Sequence, residues 1–336
     1  MTKEDIIDKI KNSGLCGRGG AGYPTGIKWE EMYKKNYPLI YICVNGSEGE
    51  PGTKKDGYIL ENYLKELIEG IKVAYFLFPQ TKNIYLYLRK DYFEKYKDKI
   101  NSLKENLPLE VFKEPGGYLC GENTVLVNSI EGKRWEPRRK PPYLSEKGLW
   151  GAPTIVNNIE TFYRIYEIVN NKYKNNRFYT IGGLAKNPGV YDLPIEITIA
   201  EVLKLTDNQI TKDNFFQLGG GASGIFYTFD EINSQSANFG TGVILIYNKN
   251  KTNLTEIFYE KLSFLIKENC GKCIPCREGL YQLFELTKNN FLVDKKYSQK
   301  IEDLIENLKT ASFCGLGSGA GQAFKSLWQK KDKIWP

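Results

Sequence analysis

Apolar residues occur along this chain in short continuous runs and at helical spacing, and the order of the two patterns outlines the fold. Ile6, Ile7 and Ile10, set among Lys and Asp, predict a short amphipathic helix at the start. The run from Leu39 to Val44, bounded by Pro38 and Asn45-Gly46, predicts a buried strand. Leu60, Leu64, Leu67, Ile68 and Ile71 predict one helix over 59–78. A strand over 83–88, a helix over 92–107 and a short strand over 109–112 follow. A helical stretch over 125–130 and an amphipathic helix after Thr154–Thr161 complete this part. Strand and helix alternate, which predicts a parallel sheet with helices on its faces.

Beyond Arg177 the pattern changes. Residues 179–184, 189–194 and 196–199 predict short strands, and Ile199–Leu205 a short helix. Gly219, Gly220, Gly221 and Gly224 mark a tight turn, and Val243–Tyr247 is a last apolar strand. From Asn253 onward the spacing is helical again, with helices over 280–286 and 301–308 among those expected. The domains expected are an α/β domain over 1–175, a small β-rich domain over 176–249 and a helical bundle over 250–336.

Three polar loops interrupt the first domain. The stretch GLCGRGGAGYPTGIKW, Gly14 to Trp29, has glycine at 14, 17, 19, 20, 22 and 26, with Arg18 and Lys28 adding positive charge. Such a density of costly residues implies backbone that turns sharply or approaches a ligand closely, as in a phosphate-binding loop; the alternative is a mobile surface loop. Gly17-x-Gly19-x-x-Gly22 has the spelling of a dinucleotide fingerprint, but no strand precedes it, and Pro24 and Gly26 are expected to block an immediate helix. The loop NGSEGEPGT, Asn45 to Thr53, leaves the first strand, and GGYLCGENT, Gly116 to Thr124, follows the third. Open α/β sheets hold ligands at such carboxyl ends. Asn157 and Asn158 add two adjacent amides before a helix, suited to the rim of a heterocycle such as flavin, although a helix cap accounts equally well for one of them. The basic, proline-rich segment GKRWEPRRKPPY, Gly132 to Tyr143, reads either as a surface crossover or as a contact to an anionic ligand.

Composition narrows the chemistry. The chain of 336 residues has no histidine, which excludes Ser-His-Asp and Cys-His catalysis and haem with a His ligand. A net charge of +7 comes from scattered lysines nearly balanced by acids, a solvated surface rather than a nucleic-acid stripe. No stretch has the length of a membrane span and the N-terminus lacks a signal core, so a cytoplasmic location is expected. Cys270-Gly-Lys-Cys273-Ile-Pro-Cys276, joined by the distant Cys314, has the spacing of a [4Fe–4S] ligand set. Four-cysteine zinc is the alternative, though structural zinc prefers two separated CxxC pairs. Cys16, Cys43 and Cys120 are isolated and expected to be small buried residues.

Taken together, GRGGAGYPTGIKW, NGSEGEPGT, GGYLCGENT, KPPY, GLWGAPTIVNNIET and CGKCIPCREG resemble, in one order from Gly14 to Gly317, the flavin subunit of respiratory complex I. The same family includes the diaphorase subunits of NAD-linked hydrogenases and formate dehydrogenases. The resemblance implies a Rossmann-like flavin domain, a ubiquitin-like β-grasp domain and a helical bundle holding the cluster. It implies FMN held by Gly17, Arg18, Gly19, Lys28, Asn45, Glu48, Tyr118, Gly121, Glu122, Asn157 and Asn158, with Ser47, Asn123 and Val156 also among the cofactor-binding residues. It further implies NAD(H) near Gly20, Gly22, Tyr23, Glu50, Lys140 and Tyr143, and a cluster on Cys270, Cys273, Cys276 and Cys314. The implied activity is hydride exchange between nicotinamide and FMN and single-electron exchange between FMN and the cluster, with no protein acid or base at the hydride step. The implied partner is a small [2Fe–2S] thioredoxin-like subunit within a larger redox complex. Ser47 stands where the family usually has Asp, Asn123 where it has Glu, and Glu31 where an aromatic residue often stacks adenine. Losing two carboxylates beside the dinucleotide keeps a second reading open: a flavin/iron–sulfur relay that exchanges electrons only with protein partners. A metal-stapled nucleic-acid or scaffold protein is the non-redox alternative.

Overall fold

The computed structural model describes residues 1–287 and 297–334. The chain forms two compact units: Met1–Gly49, Lys54–Phe178 and Asp192–Pro194 make the first, and Glu50–Thr53, Tyr179–Tyr191 and Ile195–Pro336 the second.

In the first unit, helices α1 (Lys3–Asn12) and α2 (Thr25–Lys35) precede strand β1 (Ile40–Gly46). Then come α3 (Lys55–Asn62), α4 (Leu64–Leu77), β2 (Thr81–Leu88), α5 (Lys90–Leu103), β3 (Leu109–Lys113), α6 (Asn123–Ile130), β4 (Thr154–Asn158) and α7 (Ile159–Val169). The sheet has the order β3-β2-β1-β4 and every pairing is parallel. Ile40, Ile42, Cys43 and Val44 of β1 are all buried, as a strand covered on both faces requires. Cys43 and Cys120 sit in one apolar cluster with Tyr87, Leu126 and Val156, as expected of small buried residues, whereas Cys16, at the base of the glycine hairpin, is only half-buried. On the other face Trp29 packs against Phe78 and Phe162, with ring centroids 5.9 and 6.0 Å apart.

Three sequence expectations need correction here. The helix expected over 59–78 is two helices, broken at Tyr63 (φ −135°, ψ 30°), and the apolar spacing runs through the break because both pieces face the same core. Helix α2 begins directly after Pro24 rather than being blocked by it; proline suits a helix start, where its missing N–H is not needed. Gly26 lies inside that helix, where a Cβ would come within 2.4 Å of the Lys11 Cα, so it permits α1 and α2 to touch rather than serving a ligand.

A second, mixed sheet has the order β6-β5-β9-β7-β8, from β5 (Asn176–Gly183), β6 (Gly189–Pro194), β7 (Asn214–Leu218), β8 (Ile225–Thr228) and β9 (Val243–Asn248). Residues 176–178 of β5 and Asp192–Pro194 of β6 count with the first unit, the rest of the sheet with the second. Strands β5 and β9 are parallel, while β7 is antiparallel to both β8 and β9. Helix α8 (Ile199–Leu205) starts at a Thr198–Glu201 capping box, and Thr198 makes only an isolated bridge to Ser236, so the strand expected over 196–199 does not form. Helices α9 (Leu254–Glu268), α10 (Ile274–Thr287), α11 (Ser298–Ala311) and α12 (Gly315–Ile334) complete the unit. Most of the mixed sheet and the helical bundle that follows it fall within the second compact unit.

Candidate functional site

The strand order places β1 between β2 and β4, so chain direction across the sheet reverses at the β1–β4 pair, where a crevice opens at the carboxyl ends of an open parallel sheet. The register there pairs Val44 with Asn157 and Asn45 with Asn158. Three polar loops gather at this edge. Asn45 Nδ2 donates to the Gly121 carbonyl at 3.0 Å and to Asn123 Oδ1 at 3.3 Å. Ser47 N donates to Asn45 Oδ1 at 3.1 Å, and the Ser47 hydroxyl donates to the buried Glu114.

The glycine loop is a closed hairpin: Cys16 and Pro24 bridge, and Gly17 N donates to the Tyr23 carbonyl at 2.8 Å. Arg18 N donates to Thr161 Oγ1 at 3.1 Å, which fastens the hairpin to α7, and Gly19 lies beside Asn158. Gly20, Gly22 and Tyr23 form its exposed tip. The Arg18 guanidinium turns inward, donating to Tyr173 and to the Asn176 carbonyl, both at 3.2 Å, so what this residue offers a ligand is backbone.

That arginine belongs to a buried charge cluster that the sequence alone did not reveal. Lys55, at 1% exposure, donates to Asp56 at 2.6 Å and to Asn158 Oδ1 at 2.7 Å, and pairs with Glu160 at 3.4 Å. Burial alone would raise the Glu160 pKa; Lys55, Arg164, Arg18 and Arg177 outweigh it and hold the carboxyl below its ordinary value. Asn158 lies at the edge of this cluster, capping α7 through Glu160 N and donating to Asp56 and to the Asn45 carbonyl. Asn157 Oδ1 accepts the Trp29 indole N–H at 3.1 Å; an indole only donates, so the amide orientation is fixed and Nδ2 is the end left to meet a ligand.

Other expected ligand residues have structural duties. Glu48 accepts from the Asp56 and Gly57 amides and the Tyr92 hydroxyl at 2.6–3.2 Å. Burial, then repulsion from Asp56, pushes its pKa up to about 6. Glu122 caps α6 through the Thr124 and Val125 amides and reaches Lys140 at 3.3 Å. Arg138 is a strut, bound to Asn128, Glu131 and the Gly148 carbonyl. Tyr23 and Tyr143 are exposed, while Tyr118 and Gly121 lie half-buried in the third loop. Glu50 lies in the second unit, where its carboxylate accepts from Ala222 N at 2.9 Å.

The residues fit a bound flavin phosphate. The Lys28 ammonium is held against the Val156 carbonyl at 2.7 Å, and burial pulls its pKa down to about 8. A desolvated cation with a single neutral acceptor favours an anion. The neighbouring Thr25 Oγ1, buried at the start of α2, has no hydrogen-bond partner among the described residues, and α2 has no side-chain cap.

The cysteines supply the four-thiolate donor set of a cluster. Cys273 immediately precedes α10, Cys276 lies in its first turn, and Cys314 immediately precedes α12. Two helix amino termini thus face the thiols and favour negative charge there. Burial, then Cys273, Cys314 and Cys270, push the Cys276 thiol up to about 12, so each of the other three lies near enough to act on Cys276. Among the described residues no three potential ligands are gathered in metal-holding geometry. Arg277 donates to the Gly271 carbonyl at 3.0 Å and closes the turn between the first two cysteines.

A parallel sheet with a polar switch-point crevice, together with a helical bundle presenting four cysteines, defines the class: an FMN- and iron–sulfur-carrying electron-transfer subunit. The Nuo51 FMN-binding domain matches residues 10–167, and the NADH-ubiquinone oxidoreductase-F iron-sulfur binding region matches residues 256–332. The F subunit of NADH-quinone oxidoreductase in Aquifex aeolicus is 32% identical over 370 residues, covering 100% of this chain and 86% of the relative. Its Escherichia coli counterpart is 31% identical, with 83% of this chain and 71% of the relative covered. In structure the chain is similar to a NAD⁺-reducing [NiFe]-hydrogenase solved in its H₂-reduced state, with a TM-score of 0.90 and 26% identity. That match covers 99% of this chain and 62% of the hydrogenase chain. The chain belongs to the family of NADH-quinone oxidoreductase F subunits. It is an NADH dehydrogenase/diaphorase-type oxidoreductase subunit with FMN and iron–sulfur cofactors.

Proposed function

We propose that FMN binds at the carboxyl ends of β1 and β4. The observation that carries this is the Asn45–Asn158 register, which brings three glycine-bearing loops to one edge of the sheet. In this reading Gly17–Tyr23 and Lys28 receive the phosphate, while Asn45, Tyr118, Gly121, Val156 and the Asn157 Nδ2 line the flavin. Ser47, Glu48, Glu122, Asn123 and Asn158 act from behind, holding the loops in shape. Tyr23 and Tyr143 supply aromatic faces for the adenine and Gly20, Gly22 and Lys140 further nucleotide contacts, all in the first unit; Glu50, in the second, is read as a nucleotide contact from its carboxylate alone. Cys270, Cys273, Cys276 and Cys314 ligate one [4Fe–4S] cluster. When bound, the flavin accepts hydride and the cluster takes single electrons; the protein binds, orients and excludes water.

The chain serves within a larger assembly of the complex-I or NAD-reducing hydrogenase type. A small [2Fe–2S] thioredoxin-like subunit is the immediate partner in this proposal, and a cytoplasmic location its setting. Among the described residues no helix is long and apolar enough to cross a membrane. Anaerobic purification tests the assignment. One FMN and four iron atoms per chain, with flavin bleaching by NADH, are expected. Heat-released FAD, or zinc in place of iron, refutes it.

A further inference from the structure

In the second unit, Glu50–Thr53 and the glycine turn between β7 and β8 hold each other. The Pro51 carbonyl accepts from Gly221 N at 2.8 Å, and Glu50 Oε1 accepts from Ala222 N at 2.9 Å and Ser223 N at 3.3 Å. The fit leaves no room for side chains: a Cβ on Gly220 (φ +150°) would lie 2.2 Å from Glu50 Oε1. From the bundle, Lys261 of α9 reaches the same turn. Its ammonium donates to Gln217 Oε1 at 2.7 Å and to the Gly221 carbonyl. Gln217 Nε2 in turn donates to the Gly224 carbonyl at 3.1 Å, so Lys261 and Gln217 brace the turn from behind while Glu50 occupies its front.

Lys261 is 8% exposed, and its ammonium lies 5.4 Å from the centroid of the Phe226 ring. Burial draws its pKa down to about 8, with Glu50 and then Glu260 pulling the other way. A buried cation with neutral acceptors is a poor device for stability alone, since an apolar side chain of similar volume avoids the desolvation cost. The Gly221 carbonyl that accepts from Lys261 belongs to the same peptide as the Ala222 amide that donates to Glu50.

We propose that Lys261 is a positioning residue for nucleotide binding: with Gln217 it fixes the turn whose amides anchor Glu50 Oε1 and so aim the rest of that carboxylate. This rests on reading Glu50 as a nucleotide contact, and the test separates the two. The assay uses the full chain loaded with FMN and cluster and compares Glu50→Gln, Lys261→Met and the double variant. Steady-state reduction of ferricyanide by NADH is measured alongside hydrogen exchange of the Ala222 and Ser223 amides. Losing one charge-assisted hydrogen bond raises KM about tenfold in Glu50→Gln. Lys261→Met raises KM several-fold at unchanged kcat, FMN and iron content, adds nothing in the double variant, and speeds exchange at both amides. Lys261→Met with wild-type KM and exchange overturns the inference. A wild-type KM in Glu50→Gln overturns the Glu50 reading instead, and the inference about nucleotide binding falls with it. Where Lys261→Met does not fold, Gln217→Met removes the other brace: raised KM with faster exchange supports the inference, and wild-type values of both overturn it.

Discussion

Replacing Asn158 by alanine should unfold the first unit more readily even when no flavin is bound. Viewed from the sequence, this side chain is a flavin contact whose loss weakens retention and leaves the fold intact. The structure gives it four internal hydrogen bonds: Nδ2 to the Asn45 carbonyl at 3.1 Å and Asp56 at 2.7 Å, and Oδ1 from Lys55 at 2.7 Å and Glu160 N at 3.0 Å. Loss of the cap on α7 costs about 1 kcal/mol. Lys55 and Asp56, at 1% and 2% exposure, each lose a partner but keep one another at 2.6 Å. Each therefore adds toward the low end of the ~1–3 kcal/mol for a buried group left short. The sum is about 3 kcal/mol, or roughly 6–12 °C in Tm for a unit of this size. Circular dichroism melts of flavin-free protein measure it. Asn158→Asp keeps the cap but sets a carboxylate against Asp56, so it should recover only part of the loss. An Asn158→Ala protein melting within about 2 °C of wild type would refute the reasoning and return Asn158 to a purely ligand-facing role.

Lys28→Met should move two measurements in opposite directions: flavin-free protein gains stability, while FMN affinity falls roughly 10–100-fold, the worth of one charge-assisted hydrogen bond. Because burial lowers the Lys28 pKa from 10.5 to about 8, wild-type apo stability should rise as pH climbs through that window, and urea midpoints of the variant should lack that rise. Glu48 runs the other way: with its pKa raised from 4.5 to about 6, its contribution is present below pH 4.5 and lost as pH rises toward 6, a slope Glu48→Gln should flatten. Cys273→Ser should remove most of the iron and loosen the bundle, whereas Cys43→Ser, deep in the sheet core, should leave iron content unchanged in a colorimetric assay. Asn123→Glu should sharpen the preference for NADH over NADPH in stopped-flow flavin reduction, because a carboxylate there repels the more anionic nucleotide.

The strands were legible because a strand buried on both faces writes itself as a continuous apolar run, and β1 and β2 do so. The break at Tyr63 was not, since α3 and α4 bury residues against one core and keep a common spacing across it. Candidate loops were found from glycine, amide and carboxylate content, a signal that marks where the chain turns but not which atoms face outward. Lys55, Asp56 and Glu160 gave no local sign at all. A Lys-Asp pair opening a helix reads as solvated, and these charges are buried because Arg18 and Arg177 arrive from other segments and join Arg164, four residues along α7, in balancing Glu160.

The distribution of polar groups at the sheet edge bears on how a site of this kind works. Ser47 answers Glu114, Glu48 answers α3, Glu122 answers α6, and Asn158 answers Lys55 and Asp56, so each of these loop side chains has a partner within the protein. In the proposed site this leaves the hairpin backbone, the fixed Nδ2 of Asn157 and the Lys28 ammonium as the principal polar contacts to a flavin otherwise lined by Asn45, Tyr118, Gly121 and Val156. Groups held in this way need little reorganisation when a charged cofactor arrives, which lowers the cost of binding and keeps the loops in one shape between oxidation states. The same arrangement accommodates Ser47 and Asn123 at the two positions where the resemblance implies acids. Ser47 meets Glu114 by donating a hydrogen bond, and Asn123 accepts from Asn45, so both loops stay closed with less negative charge beside the crevice. Loop shape and nucleotide electrostatics are thereby separable here, and substitution at Asn123 should alter nucleotide discrimination while leaving flavin content as it is.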